Sequence, residues 1–408
     1  MKAFFGKKYV FLFCFLAGLF AFFGYGIYHG QKAFADFGKG LTEASGYEQA
    51  KELWGELRKE LLEELEESAA GDLSVEVYGV AQRLMDKREY RNFSFVRGGN
   101  DMLYYGAVMA NENDSLMEYA VRTGRAARCA GRQGAKTIFI MPPSKVLYGV
   151  MGEDRELPVN DPNAMQDELL LYMQQNQVAT LDLRTALTES GMTHEEMFYR
   201  TDHSWTSEAA FIAAGALADK IRKDFGDDWD PEDYYLDRAN YTADTYRQGT
   251  IGAIGRETGL AYAGKEDYTV LYPKFETHMK WYDLESGERK AGSFYDVFVD
   301  LESSRADAYS NPGSSIYLEG VVNQDRIVNE DNPEGPRVLC LRDSYMSPVA
   351  CFLAPMCSQI DMVWARSDRN GLDYEEMIRE GEYDYLFIEV YPYNVADRAF
   401  AYFENQGD

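Results

Sequence analysis

The sequence predicts an α/β domain, and two features predict it: short apolar runs that read as buried strands, and helical stretches that alternate with them. The runs are 135–141, stopped by Pro142 and Pro143, then 178–183, 337–341 and 385–390. Runs that are apolar throughout, rather than on alternate residues, belong to parallel strands covered on both faces. The architecture expected is therefore a parallel sheet with helices on both faces.

The remaining elements follow from local pattern. Residues 115–134 read as a helix with Asp114 as its cap. Within 47–69, Leu53, Trp54, Leu57, Leu61 and Leu65 recur at helical spacing among Glu and Lys. That stretch is an amphipathic spacer, read either as a short coiled coil or as a helix packed on the domain that follows. Residues 227–330 break the rhythm with Tyr-rich and Gly-rich segments, of which 268–272 and 294–299 read as antiparallel strands. They form a β-rich insertion that shapes a site. Its acidic turn, Asp227, Asp228, Asp230, Glu232 and Asp233, lacks the spaced oxygen ligands and glycine of an EF-hand loop. No metal site is expected there or elsewhere.

The amino terminus differs in kind. Lys2, Lys7 and Lys8 precede an uncharged apolar stretch, 9–28, long enough to cross a bilayer as a helix. Basic residues on its amino-terminal side place the rest of the chain outside the cell. Ala33, Phe34 and Ala35 resemble a signal-peptidase site, so a secreted product is the alternative. An uncleaved single-pass anchor is preferred, because the apolar run exceeds the usual signal core of about 7–15 residues. The organisation read from the chain is 1–30 membrane anchor or signal, 31–75 helical acidic spacer, and 76–408 main domain with 227–330 inside it.

Composition excludes several classes. With 46% hydrophobic residues the 408-residue chain is neither disordered nor collagenous. Its 41 basic against 68 acidic side chains, a net charge of −27, argue against nucleic-acid binding, which needs clustered Lys and Arg. Cys14 lies in the apolar segment, and Cys129, Cys340, Cys351 and Cys357 lack the spacing of a disulfide scaffold or zinc site, so they read as core thiols.

Two constellations carry chemistry, both at the carboxyl ends of predicted strands, where open α/β sheets place their sites. Arg342, Asp343, Ser344 and Tyr345 follow the strand 337–341 and precede a helix with Ser347 as cap and Pro348 at its first position. A serine on such a turn can act as nucleophile, with backbone N–H groups stabilising its oxyanion. The second constellation is Tyr199, Arg200, Thr201, Asp202, His203, Ser204 and Trp205, before a helix starting near Ser207. Outside the anchor only His194, His203 and His278 offer an imidazole.

An acid–His motif followed by Asp-Ser near the carboxyl terminus resembles the DHHW family and the alginate O-acetyltransferases, SGNH-hydrolase-like domains with a permuted motif order. The likeness extends to Met141, Pro142, Pro143, Ser144 and Lys145 with Tyr148, and to 338–355, 361–366 and 383–392, covering roughly 90–400. It implies a flavodoxin-like sheet and a bacterial cell-envelope domain that moves or removes acyl groups, usually acetyl, on polysaccharide. Ser344 matches the nucleophile and Asp202 the acid that orients the catalytic imidazole. The family's catalytic His lies two residues after that acid, where this chain has Ser204, and His203 matches the variable first His. On an extended chain Asp202 and Ser204 share a face and His203 points away. Either the loop is twisted enough for His203 to serve, or His194 or His278 arrives from elsewhere, or the domain binds without turnover.

The expected function is an extracytoplasmic serine-dependent O-acyltransferase or esterase acting on polysaccharide, with Ser344, Asp202 and His203 catalytic. Arg342, Trp205, Ser204 and Tyr345 are the candidate substrate-binding residues, Arg342 either entering the cleft or reaching solvent. Serine chemistry needs no cofactor. For a transferase, the resemblance implies a membrane-bound O-acyltransferase as acyl donor. The alternative is a catalytically silent glycan-binding or assembly module, with Trp205, Tyr199, Tyr393 and Trp364 as stacking faces.

Overall fold

The structure, a computed structural model, describes residues 69–109, 115–301, 316–318, 322–364 and 372–403, with short pieces between 36 and 59. The apolar segment 9–28, the cap Asp114 and most of the spacer lie outside the described residues. Among the described residues no helix is long and apolar enough to cross a membrane. Two compact units divide the chain, Met1–Met85 and Asp86–Asp408. In the first, residues 51–57 are helical, as is Ala69–Leu84.

In the second unit the strands are β1 (Glu89–Tyr90), β2 (Phe95–Arg97), β3 (Leu103–Tyr105), β4 (Lys136–Met141), β5 (Ala179–Asp182), β6 (Tyr241–Thr250), β7 (Glu266–Pro273), β8 (Met279–Asp283), β9 (Arg289–Gly292), β10 (Gln324–Asn329), β11 (Arg337–Arg342), β12 (Gln359–Trp364) and β13 (Tyr385–Glu389). Eight of them form one sheet in the order β5-β4-β13-β11-β12-β10-β8-β9. Its first five strands run parallel. The last three are antiparallel, so the sheet is mixed rather than parallel throughout. The difference comes from the insertion, whose β8, β9 and β10 add an antiparallel edge beyond β12. β1–β3 form a small antiparallel sheet, and β6 and β7 pair separately.

The helices that cover the large sheet are α1 (Leu116–Arg132), α2 (Asn163–Gln175), α3 (Leu183–Glu189), α4 (Ser207–Phe225), α5 (Met346–Leu353) and α6 (Tyr374–Glu380). Alternate residues of the central strands enter two separate cores. Ile138, Ile140, Val338, Cys340, Tyr385 and Phe387 pack with α3, α4 and α5. Phe139, Met141, Leu339, Leu341, Leu386 and Ile388 pack with α1, α2 and α6. Two covered faces are why these strands read as unbroken apolar runs. Cys129, Cys340, Cys351 and Cys357 are buried free thiols.

Two local readings are corrected. Residues 294–299 are not a strand: Phe294–Phe298 is a helix, opened by a capping box between Ser293 and Asp296. Phe294, Val297 and Phe298 recur there at helical spacing, and all three are buried. α5 also begins earlier than Ser347, with Tyr345 at its cap position. Pro348 therefore sits inside the first turn, where its missing N–H leaves no helical bond unmade.

Candidate active site

The Ser344 turn is held by its neighbours rather than by Ser344 itself. Asp343 Oδ1 accepts from Tyr345 N at 3.0 Å, an Asx turn. Its Oδ2 accepts from Tyr391 N at 2.6 Å and Asn394 Nδ2 at 3.0 Å. The Asp343 N–H donates to Glu389 Oε2 at 2.9 Å. Ser344, in contrast, is exposed, and its hydroxyl has no hydrogen-bond partner among the described residues. It is presented at the carboxyl end of β11, just before α5.

The acid–His segment is a turned loop rather than an extended chain. Phe198 and Trp205 face each other across a β-bridge, and Tyr199 N donates to Ser204 O at 3.1 Å. At the tip, the buried Asp202 carboxylate takes the Ser204 N–H on Oδ1 at 2.9 Å and the Ala253 N–H on Oδ2 at 2.6 Å. Burial pushes the Asp202 pKa up, but the His203 ring and these N–H donors outweigh it and hold the carboxyl below its usual value. Gly252 is required here, because a Cβ on it would lie 2.4 Å from Asp202 Cβ and 2.7 Å from its Cα.

The turn carries His203 to its acid: Nδ1 lies 3.2 Å from Asp202 Oδ1, although it is not aligned as a hydrogen bond. The ring, 23% exposed, packs among Tyr105, Tyr391 and Tyr345 at 6.0, 5.5 and 6.3 Å between centroids. The Tyr345 hydroxyl donates to His203 O at 2.5 Å, tying the two motifs together one residue from Ser344. The other imidazoles are engaged elsewhere. His194 is buried, bonds Lys145 O through Nε2 at 2.7 Å and stacks on Tyr104. His278 is exposed and pairs with Asp331 at 2.8 Å.

Lys145 organises the loop from below. Its buried ammonium reaches four carbonyls, Leu103 O at 2.6 Å, Tyr199 O at 2.8 Å, Asp202 O at 2.8 Å and Arg200 O at 3.1 Å. Glu266, also buried, accepts Arg200 N at 2.5 Å and Thr201 N at 2.9 Å. Burial pushes the lysine pKa down and the glutamate pKa up, each being opposed by the charge of the other.

Three candidate substrate contacts are placed otherwise than the sequence suggested. Arg342 enters neither cleft nor solvent: its side chain is fully buried and pairs with Asp325 Oδ1 at 2.8 Å. Asp325 in turn accepts from Trp281 Nε1 at 2.9 Å. Both partners come from the edge that the insertion adds to the sheet. Trp205 is 4% exposed and packs on Tyr345 at 4.9 Å, so its face is committed to the core. Tyr345 is buried and acts as the link to His203. Ser204 is half-buried beside Asp202.

Arg342→Leu is expected to destabilise the protein by about 3–5 kcal/mol, because it strands a buried carboxylate. Urea unfolding measures this, and an unchanged midpoint would contradict it.

The acidic turn is internally satisfied. Asp227 meets Lys136 and Tyr385, Asp228 and Asp233 meet Arg222, and Asp230 caps Tyr234 N and Leu236 N. Among the described residues no group of three or more His, Cys, Asp or Glu side chains is placed to hold a metal ion.

A family model, the SGNH hydrolase-like domain of the acetyltransferase AlgX, matches residues 96–255, which include Asp202 and His203. The fold is similar to that of Bacillus cereus PatB1, with TM-score 0.58 and 17% identity over 75% of this chain and 98% of that one. PatB1 is also known with a sulfonyl adduct, and that structure matches with TM-score 0.58 and 15% identity over 76% of this chain and 97% of that one. A DHHW family protein from Eubacterium siraeum matches with TM-score 0.55 and 15% identity, over 75% of this chain and 92% of that one. No curated protein matches by sequence. The resemblance to the DHHW and AlgX-type SGNH-hydrolase-like domains, carried by the paired motifs, is thus borne out.

Proposed function

We propose that the protein is an extracytoplasmic, serine-dependent O-acyltransferase or esterase acting on polysaccharide, and that His203 serves as its base. The observation that carries this reading is the approach of His203 Nδ1 to the ionised Asp202 at 3.2 Å, with Tyr345, the residue beside Ser344, bonded to the His203 carbonyl. In the reaction, Ser344 Oγ attacks the acyl carbonyl and its proton passes to His203 Nε2. In this reading backbone N–H groups at the opening of α5 would stabilise the oxyanion, while Asp202 stabilises the imidazolium. Collapse of the tetrahedral intermediate expels the donor alkoxide, which takes the proton from His203 and leaves an acyl-Ser344. A glycan hydroxyl or water, deprotonated by His203, then takes the acyl group and restores the serine.

The N-terminal apolar segment would hold this domain on the outer face of the membrane, and a membrane-bound O-acyltransferase would deliver the acyl group there. Ser204, where the family pattern has its catalytic histidine, favours a second reading: a silent glycan-binding or assembly module on the same fold. The two are separated by release of p-nitrophenol from p-nitrophenyl acetate. Turnover that is lost in Ser344→Ala supports the enzyme. Equal rates for parent and variant would leave the binding module.

A further inference from the structure

Glu389 ends β13, an otherwise apolar strand between β4 and β11, and is 3% exposed. One oxygen, Oε2, accepts the Asp343 N–H at 2.9 Å, and the other, Oε1, accepts no hydrogen bond. Its carboxyl lies against that of Asp343, which is 5% exposed. Beneath the turn is a small cavity whose lining is apolar apart from Glu389, with Ile140, Leu181, Leu183, Trp205 and Tyr345 around it. The cation nearby, Arg342, is already paired with Asp325.

Two carboxyl groups in contact in such surroundings do not both ionise. Asp343 receives the Tyr345 and Tyr391 N–H groups and the Asn394 amide, three donors against the single one that Glu389 receives, so of the two it is the acceptor. We propose that Glu389 is a neutral carboxylic acid that positions the Ser344 turn, accepting the Asp343 N–H and donating its own proton to the Asp343 carboxylate. Glu389 is a positioning residue and does not touch the reacting atoms.

Burial pushes the Glu389 pKa well up and the Asp343 charge adds to the shift, while the Asp343 N–H and Arg342 pull the other way. The other titratable groups beside it, the Cys340 thiol and the Tyr345 phenol, are pushed up by burial as well and stay neutral. A raised carboxyl pKa in the folded state gives a contribution that is complete below the ordinary value and lost as pH rises through the folded one. Raising the pH therefore places a second negative charge under the nucleophile and loosens its turn.

The kinetic arm of the test rests on Ser344 acylation, and the spectroscopic arm does not. Infrared difference spectra of the full chain at neutral pH are expected to show a protonated-carboxyl band that E389Q removes. Glu389→Met is expected to slow acylation by about tenfold or more, with E389Q restoring it to within about threefold and KM unmoved. On the alkaline side the parent is expected to decline while E389Q holds its rate. No band lost in E389Q, an E389Q chain that does not fold, or alkaline limbs that coincide would overturn the proposal. If no chain is acylated, the serine reading fails and the infrared band alone decides the state of Glu389.

Discussion

Lys145→Met is expected to lower the stability of the domain by about 3–5 kcal/mol, close to the loss seen when a buried charge network is broken from one side. The methylene stem fits the same space, so the loss falls on the ammonium. Its removal takes a donor from the carbonyls of Leu103, Tyr199, Arg200 and Asp202, and takes the counter-charge from buried Glu266. A buried acceptor left unpaired costs about 1–3 kcal/mol, and three of these carbonyls, those of Tyr199, Arg200 and Asp202, belong to the loop that carries His203. Urea unfolding of parent and variant measures the difference, and a change under about 1 kcal/mol would show that the ammonium is not what holds the loop.

His203→Ala is expected to slow acylation of Ser344 by about four orders of magnitude, the scale on which removal of a base or its orienting acid acts in serine hydrolases. The effect has a partner that tests the position of the base. Ser204 N donates to Asp202 Oδ1, so position 204 also lies beside the acid, and Ser204→His placed in the His203→Ala background is expected to recover part of the lost rate. Failure of the double variant, with Ser204→His alone active, would show that position 204 cannot take over the base and that His203 stays indispensable. Asp202 adds a pH signature. Its folded pKa is depressed, so its contribution is present above the ordinary carboxylate value and lost only as pH falls through the lowered one. The carboxylate is thus ionised throughout the neutral range, where rates are compared.

Much of this was legible in the sequence because the signals were local. The strands at 135–141, 178–183, 337–341 and 385–390 declared themselves as unbroken apolar runs, and β4, β5, β11 and β13 occupy them with ends shifted by a residue or two. Thr206 caps α4 where the motif ends. What the sequence hid depended on partners far along the chain. Arg342 follows a strand and precedes Asp-Ser, a context that suggests a cleft, yet its fate is set by Asp325 on a strand from the insertion. The reading of Phe294–Phe298 failed locally instead: its aromatic and β-branched content suggests a strand, and the capping box between Ser293 and Asp296 overrides that propensity. The burial of Lys145 had no sequence sign beyond its place after Pro142 and Pro143. Glu389 did have one: a lone acid at the carboxyl end of an apolar strand, where parallel sheets put their sites.

The central claim, that Ser344 is the nucleophile and His203 its base, is tested most directly by the intact mass of the protein after exposure to an activated acetyl ester. Ser344→Ala, His203→Ala and Ser204→His are measured beside the parent. The account predicts one acetyl adduct on the parent, absent from Ser344→Ala and strongly diminished in His203→Ala. A parent that stays unmodified while Ser204→His becomes acetylated would contradict it, showing a site whose geometry survives without its base.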